Sequence, residues 1–176
     1  MSGRPPKHGA SRFSRYLEIH ETVLGQYRDQ YFVGGDAIKF ERFGSRHYLM
    51  QGEIACRGNI VVAVDKILEV CDREPDPLVQ TVRYSYNVYA KGKWNIFRYD
   101  NQHPDWRYPG HHDEHHRHAF DWDTGDELPD SPEWIGADRW PTLGEVIEEV
   151  RRWHADNYHR LPDPEQFVTD VLSELR

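Results

Sequence analysis

Residues 80–100 read QTVRYSYNVYAKGKWNIFRYD, and this stretch decides the fold. Apolar and polar side chains alternate along its first half, with Val82, Tyr84, Tyr86 and Val88 on one side and Arg83, Ser85 and Asn87 on the other. This two-residue period is typical of a strand with one buried face. A glycine-containing connection, Lys91-Gly92-Lys93, joins this run to a second β-rich run, Trp94–Asp100, and so predicts a β-hairpin.

A second hairpin is predicted upstream. The β-rich runs His47–Cys56 and Ile60–Cys71 are joined by Arg57-Gly58-Asn59. Glu74-Pro75-Asp76-Pro77 separates this hairpin from the next one, because proline cannot donate a hydrogen bond to a strand ladder. Val33–Phe43 predicts one further short strand. Two consecutive hairpins favour an antiparallel meander, in which neighbours in sequence pair in space.

Helical patterns flank these strands. The apolar residues of Phe13–Tyr31 follow helical spacing approximately. Near the C-terminus, Thr142 with Glu145 three residues later matches a capping box. Asp163 followed by Pro164 predicts the start of a second C-terminal helix. We therefore expect an α+β fold, with an antiparallel β-meander of four or more strands and helices packed on one face, two of them C-terminal.

Length and composition favour one folded domain. The 176 residues include 6 Trp, 10 Tyr and 7 Phe, which bury a large area each and can supply a single core. Residues 1–11 are basic and contain proline and glycine, so we predict a flexible basic arm there and a single α+β domain over residues 12–176. Two cysteines, Cys56 and Cys71, make no disulfide framework and are expected to be reduced.

Net charge and hydropathy exclude several classes of protein. A formal charge of −8 argues against a generic basic nucleic-acid binder. No apolar run approaches the ~20 residues that span a bilayer. The N-terminus also lacks the apolar region of a signal peptide. We therefore expect a cytoplasmic protein with no membrane partner.

An acidic segment, residues 121–138, is predicted as a loop. It contains Pro129 and Pro132 and six carboxylates that could bind a cation: Asp123, Asp126, Glu127, Asp130, Glu133 and Asp138. A solvated loop is the favoured interpretation of such a charge run.

The residues that carry chemistry concentrate in residues 103–118, which hold 6 of the 11 histidines. This segment follows the predicted end of a strand, on which Arg98 and Asp100 share one face. Histidine titrates near pH 6.5, so two of them can act as base and acid. A nearby arginine, with Arg98, Arg107 and Arg117 as candidates, can hold a phosphate through two hydrogen bonds and stabilise transition-state charge. The combination favours metal-independent cleavage of RNA.

Two other interpretations of the same histidines stay open. His112 and His116 would share a face in a helix, and His116 and His118 would share one in a strand, so these three could ligate a transition metal. Zn or Ni is the alternative cofactor on this interpretation, whereas the catalytic one needs none. The histidines could also belong to a solvated polar loop.

One motif resembles that of a known family. The run Phe97-Arg98-Tyr99-Asp100-Asn101, then His103, then a proline-containing spacer and His116-Arg117-His118, resembles the pattern of TumE-type toxins of bacterial toxin–antitoxin pairs. The similarity covers roughly residues 80–121 and implies a small cytoplasmic toxin, encoded beside a helix-turn-helix antitoxin. It also implies growth inhibition by RNA cleavage or by a translation block, with RNA or the ribosome as target.

The resemblance further implies a set of site residues: Arg98, Asp100, Asn101, His103, His116 and His118. Asp100 would orient a histidine or an arginine, as the carboxylate of a catalytic triad does. The alternatives are a histidine-rich metal-binding protein without catalytic activity, and a noncatalytic protein whose C-terminal helices or acidic loop dock a basic antitoxin. A homodimer is also open.

Overall fold

The computed structural model describes residues 10–101, 115–136 and 140–173. These residues form an antiparallel sheet with helices on both of its faces. The elements, in chain order, are β1 (Ser11–Arg12), α1 (Phe13–Asp29), β2 (Val33–Asp36), β3 (Lys39–Phe43), β4 (His47–Cys56), β5 (Ile60–Val70), β6 (Leu78–Ala90), β7 (Asn95–Asp100), β8 (His115–Ala119), β9 (Glu133–Gly136), α2 (Leu143–Asn157), a short 3-10 turn (Tyr158–Arg160) and α3 (Thr169–Ser173).

The sheet is a meander extended at both edges. Its order is β2-β4-β5-β6-β7-β8-β9, with β3 also paired to β4 and β1 paired to β6. The two predicted hairpins are β4–β5 and β6–β7, and all pairs are antiparallel. The predicted α+β class, with an antiparallel meander and two C-terminal helices, is confirmed. The prediction that the helices pack on one face is wrong for α3, which buries its apolar side chains against Ala55 and Val61 on the other face.

Strand alternation gives this sheet an apolar face, which we call the inner face. Helices α1 and α2 pack on it and close the main core, whose members include Leu24, Ile54, Val62, Val88, Phe97 and Ile147. Each such side chain contributes roughly 1.5–3 kcal/mol when it is fully buried. The inner face therefore fixes where the sheet lies against the two long helices.

The opposite side, which we call the outer face, is more polar. Helix α3 covers one end of it, where Val168 and Val171 are buried against Ala55 and Val61. The last C-terminal helix thus lies across the sheet from α1 and α2. Farther along the outer face, β7 and β8 carry charged and imidazole side chains.

The capping box predicted at Thr142 is present. The Thr142 hydroxyl accepts from the Glu145 backbone N–H at 3.2 Å, and the Glu145 carboxylate accepts from the Thr142 N–H at 2.8 Å. These two bonds satisfy N–H groups that the first turn of α2 cannot satisfy itself.

The predicted start of the second C-terminal helix, at Asp163, is wrong. A single turn forms there, in which the Gln166 N–H donates to the Asp163 carbonyl at 3.2 Å. The Gln166 carbonyl accepts from Asn59 in the β4–β5 turn at 3.0 Å, which ties the backbone to the sheet. The helix therefore begins later, at Thr169. The segment predicted as an acidic loop also differs, because Glu133–Gly136 forms strand β9.

The predicted N-terminal arm, residues 1–11, is only partly described. Most of the predicted arm lies outside the described residues, but its last residue, Ser11, pairs with Val79 of β6. The division into an arm and a single domain stays a prediction.

Cys56 is buried and Cys71 exposed, and both are free thiols. Within the described ranges, no helix is long and apolar enough to cross a membrane.

Candidate functional site

The register of β7 against β8 assembles a cluster on the outer face. Asp100 lies opposite His116, and Arg98 lies opposite His118. Residues directly opposite each other on antiparallel strands project to the same side. Two side chains from each strand therefore meet at this edge of the sheet.

Asp100 is the centre of the cluster and is only 6% exposed. Its Oδ1 lies 2.8 Å from Nε2 of His116, and its Oδ2 accepts from Nε of Arg98 at 2.9 Å. Nε2 of His118 lies 3.8 Å from Oδ2. Burial raises the pKa of Asp100, but the hydrogen bond from His116 and the nearby charges outweigh it, so the pKa falls below its usual value. The carboxylate is therefore ionised at neutral pH.

A second carboxylate holds the other histidine. Oε1 of Glu127 lies 2.5 Å from Nδ1 of His118 and accepts from the Ser131 hydroxyl at 2.6 Å. The Ala119 N–H of β8 donates to that hydroxyl at 3.0 Å, so the turn after β8 is tied back to the strand. Burial raises the pKa of Glu127, and the bonds from Ser131 and His118 lower it by more, which leaves this carboxylate ionised too.

These two contacts define the histidine tautomers. A carboxylate accepts only, so the neutral His116 carries its proton on Nε2 and the neutral His118 carries its proton on Nδ1. Nε2 of His118 is buried and makes no hydrogen bond to a described residue. The cluster therefore presents an imidazole lone pair beside an ionised carboxylate and a guanidinium.

Arg98 is oriented through Nε, one of its three nitrogens. Its Nε donates to Asp100, while neither terminal nitrogen donates to a described residue. The side chain is 37% exposed, unlike the buried carboxylate beside it. A guanidinium held in this way can offer its two terminal N–H groups to a phosphate.

Asn101, a predicted site residue, secures the end of β7. Its side-chain oxygen accepts from the Tyr84 N–H at 2.9 Å, and its Nδ2 donates to the Val82 carbonyl at 3.0 Å. Both polar atoms are thus used on the backbone of β6. The structure does not bring this amide into the Asp100 cluster.

The remaining residues of the histidine motif face the other way. His115 is fully buried on the inner face, where its Nδ1 lies 2.9 Å from the Tyr84 hydroxyl and its ring 4.2 Å from that of Trp140. Arg117 pairs with Glu149 of α2 at 2.6 Å. Arg117 is therefore an ion-pair partner of a helix and does not join the outer-face cluster.

Most of this chain matches the model of one known protein family. A family model described as Toxin TumE matches residues 23–156, which is more than half of the chain and includes β7, β8 and Glu127. The chain belongs to the TumE toxin family. It is therefore the toxin component of a toxin–antitoxin system, and an antitoxin is its partner. No curated protein and no solved structure is significantly similar to it.

Of the predicted site residues of this TumE toxin, four lie together in the structure: Arg98, Asp100, His116 and His118. His103 lies outside the described residues, as do Arg107, His111 and His112. Whether the four act in catalysis stays a prediction.

Sequence reasoning missed two neighbours in the TumE site, Glu127 and Trp134. Glu127 was one of six acids in a segment without periodicity, and nothing in the sequence distinguishes it from the others. Trp134 pairs with His116 across β8 and β9, with ring centroids 5.1 Å apart, and it is 39% exposed. The four-residue strand that carries Trp134 is too short for a clear alternation.

The same cluster has the donor set of a metal site. Single ligand atoms of Asp100, His116 and His118 all lie within 4.8 Å of one another. Two imidazoles and a carboxylate suit a divalent transition metal. However, Arg98 and His116 direct N–H groups at the two Asp100 oxygens, where a cation would need lone pairs. A metal ion here would therefore have to displace the proton that His116 carries on Nε2.

Proposed function

We propose that this TumE toxin is a metal-independent endoribonuclease whose site consists of Arg98, Asp100, His116 and His118. One observation carries the proposal: a buried, ionised carboxylate holds a guanidinium on one oxygen and an imidazole on the other, with a second imidazole 3.8 Å away. Base, acid and phosphate-binding groups are therefore within reach of one bound phosphodiester.

The proposed reaction is attack by the ribose 2′-hydroxyl. One imidazole takes the 2′-hydroxyl proton as O2′ bonds to the adjacent phosphorus. The bond from phosphorus to O5′ breaks, and the second imidazole, which starts as the imidazolium, gives a proton to O5′ and becomes neutral. The products are a 2′,3′-cyclic phosphate and a 5′-hydroxyl end. The terminal N–H groups of Arg98 stabilise the charge that builds up on the non-bridging oxygens.

Both carboxylates act as positioning groups in this proposal. Asp100 holds His116 and Arg98 in fixed orientations, and Glu127 holds His118 by its Nδ1. A carboxylate in this position fixes the tautomer and stabilises the imidazolium that forms during the reaction. Glu127→Gln should lower kcat roughly tenfold and shift the pH profile of kcat, because the amide holds His118 without stabilising its charge.

RNA binding is proposed to be local, since the chain as a whole carries a charge of −8. Trp134 offers an exposed indole beside His116, and a single-stranded base can stack on such a ring. Cleavage of messenger or ribosomal RNA would block translation. The resemblance of the sequence motif supports a helix-turn-helix antitoxin as the partner.

Cleavage of a labelled single-stranded RNA in EDTA tests the proposal directly. His116→Ala and His118→Ala should each reduce the rate by roughly 10²–10⁴-fold. Arg98→Lys should also fail, since lysine lacks the planar fork. His159→Ala changes an exposed histidine on the 3-10 turn and is the matched control, which should cleave normally. Undiminished cleavage by both site variants would overturn the assignment, as would products without a cyclic phosphate.

A metal-binding protein is the second candidate function, and the spacing of Asp100, His116 and His118 favours it. Untagged protein titrated with Zn²⁺ or Ni²⁺ should then bind one ion tightly, and His116→Ala should lose it. RNA cleavage that persists in EDTA would count against this candidate.

A further inference from the structure

A cavity of about 370 Å³ lies between α1 and the inner face, across the sheet from the Asp100 cluster. Much of its wall is apolar and comes from Ile19, Val23, Met50 and Leu143. Small-molecule sites in proteins are commonly concave and mostly apolar, with a few polar groups that fix orientation. The polar groups in its wall therefore determine which ligands this cavity can bind.

Lys66 lines the cavity and is only 8% exposed. It lies on β5, between Met50 of β4 and Tyr84 of β6, and all three project to the inner face. Its ammonium donates to the Tyr16 hydroxyl at 3.2 Å. In the part of the chain that the structure describes, no carboxylate lies within 4 Å of the Lys66 Nζ.

A charge in this position is costly without an anion. Buried lysines are normally paired, because an ammonium loses its hydration when it leaves water. Lys66 lies 4.9 Å from the ring centre of Tyr86 and 5.8 Å from that of Tyr16, and these contacts offset part of the cost. The Tyr86 hydroxyl oxygen also lies beside the ammonium, which leaves at least one of its three N–H groups without an acceptor among the described residues.

Tyr86 adds a second donor. Its side chain is fully buried, it lines the same cavity, and the Lys66 ammonium lies beside its hydroxyl oxygen, while the hydroxyl hydrogen reaches no acceptor among the described residues. An unsatisfied buried hydroxyl costs about 1–3 kcal/mol. Two buried donors, one of them charged, thus line a cavity whose lining includes no carboxylate among the described residues.

The first turn of α2 also forms part of the cavity wall. Thr142 and Gly144 line the cavity at the N-terminal end of this 15-residue helix. Backbone dipoles make that end partly positive. The Glu145 carboxylate at the same end already accepts from the Thr142 N–H in the capping box. The Glu145 carboxylate is therefore already bound to the backbone of α2.

We propose that this cavity binds a small monocarboxylate with an apolar chain. The carboxylate accepts from Lys66 and Tyr86, and the chain lies among Ile19, Val23 and Met50. A single ammonium and a neutral phenol match one negative charge, which favours a monoanion over a dianionic phosphate. This site is separate from the Asp100 cluster, because Lys66 and Asp100 project from opposite faces of the sheet.

Titration with octanoate and with 1-octanol, followed by NMR or calorimetry, tests the proposal on the full chain. The two probes have the same chain length and differ in charge. Octanoate should bind at least tenfold more tightly than 1-octanol. Equal affinities, or no binding of octanoate, would overturn the proposal without the use of any variant.

Three variants locate the binding. Lys66→Met keeps the length of the side chain and removes the charge, so octanoate should lose its tenfold advantage while 1-octanol binds as before. Tyr86→Phe should weaken octanoate severalfold and leave 1-octanol unchanged. Lys39→Met makes the same change at an exposed lysine of β3 and should alter neither. Octanoate binding that survives both cavity substitutions would place the probe elsewhere. If Lys66→Met does not fold, Tyr86→Phe decides the location.

Discussion

Asp100 and Lys66 are buried charges on opposite faces of one sheet, and their surroundings differ. Asp100 has cationic or N–H partners on both oxygens, from Arg98 and His116. Lys66 faces the phenol groups of Tyr16 and Tyr86 and no carboxylate among the described residues. A buried charge with a full set of partners belongs to a preformed network. A buried charge with an incomplete set of partners has N–H groups left for a ligand, as we propose for the Lys66 cavity.

The largest expected effect comes from Asp100→Asn. The amide cannot hold His116 and Arg98 as the carboxylate does, so RNA cleavage should fall roughly 10²–10⁴-fold. The free energy of unfolding should fall by about 1.5–3 kcal/mol, the range for hydrogen bonds to charged groups. Cleavage rates and urea unfolding measure the two effects.

The control for Asp100→Asn is Asp65→Asn, the same change on the outer face of β5. Asp65 accepts only from Gln51 at 3.2 Å among the described residues and is half-buried. It should leave cleavage unchanged and alter stability by less. Equal changes in cleavage rate and in the free energy of unfolding for the two variants would mean that the hydrogen bonds of Asp100 to Arg98 and His116 have no special role.

A fall in pH should have the second-largest effect, because it lowers the stability that the ionised Asp100 and Glu127 carboxylates contribute. The pKa values of Asp100 and Glu127 are lowered in the folded protein, so the unfolded chain takes up protons first as the pH falls. The stability that these groups contribute is therefore present above about pH 5 and is lost as the pH drops through the folded values. Urea midpoints of the wild type should fall more steeply below pH 4 than those of Asp100→Asn. Parallel profiles would contradict the lowered pKa of Asp100.

Asn101→Ala should have a smaller effect. The substitution removes two hydrogen bonds to the β6 backbone, each worth about 0.5–1.5 kcal/mol. Unfolding in urea should therefore occur earlier, whereas the variant should keep the cleavage chemistry at temperatures where it is folded. A loss of kcat in fully folded protein would mean that Asn101 takes part in catalysis.

Lys66→Met should have the smallest effect on stability and is the counterpart of Asp100→Asn. Replacement of a poorly paired buried ion by an apolar side chain of similar size is often neutral or stabilising. The free energy of unfolding should therefore stay within about 1 kcal/mol of the wild type or rise. A loss as large as that of Asp100→Asn would mean that Tyr16 and the two rings already satisfy Lys66.

The sequence predicted the meander because its signals are local. Alternation along residues 80–90 and a glycine turn define β6 and β7 without reference to any other part of the chain. The same alternation places Arg98 and Asp100 on one face. The family resemblance added His116 and His118, which β8 brings opposite them.

Other features depend on contacts between distant parts of the chain and left no local pattern. Glu127 reaches His118 because the turn after β8 folds back on Ser131. The burial of His115 depends on Tyr84 and Trp140, which lie 31 and 25 positions away. The late start of α3 depends on a backbone bond to the β4–β5 turn. Propensity and periodicity do not report such contacts.

The register between β7 and β8 makes the site an all-or-none feature. Side chains of a strand alternate with a period of two, so a shift of β8 by one residue would turn His116 and His118 toward α2 and place Arg117 over Asp100. No intermediate shift exists that would only weaken the cluster. Through evolution, a single-residue insertion or deletion within β8 would therefore abolish the site at once, while a change of two residues would preserve the face and keep one of the two histidines opposite Asp100 or Arg98.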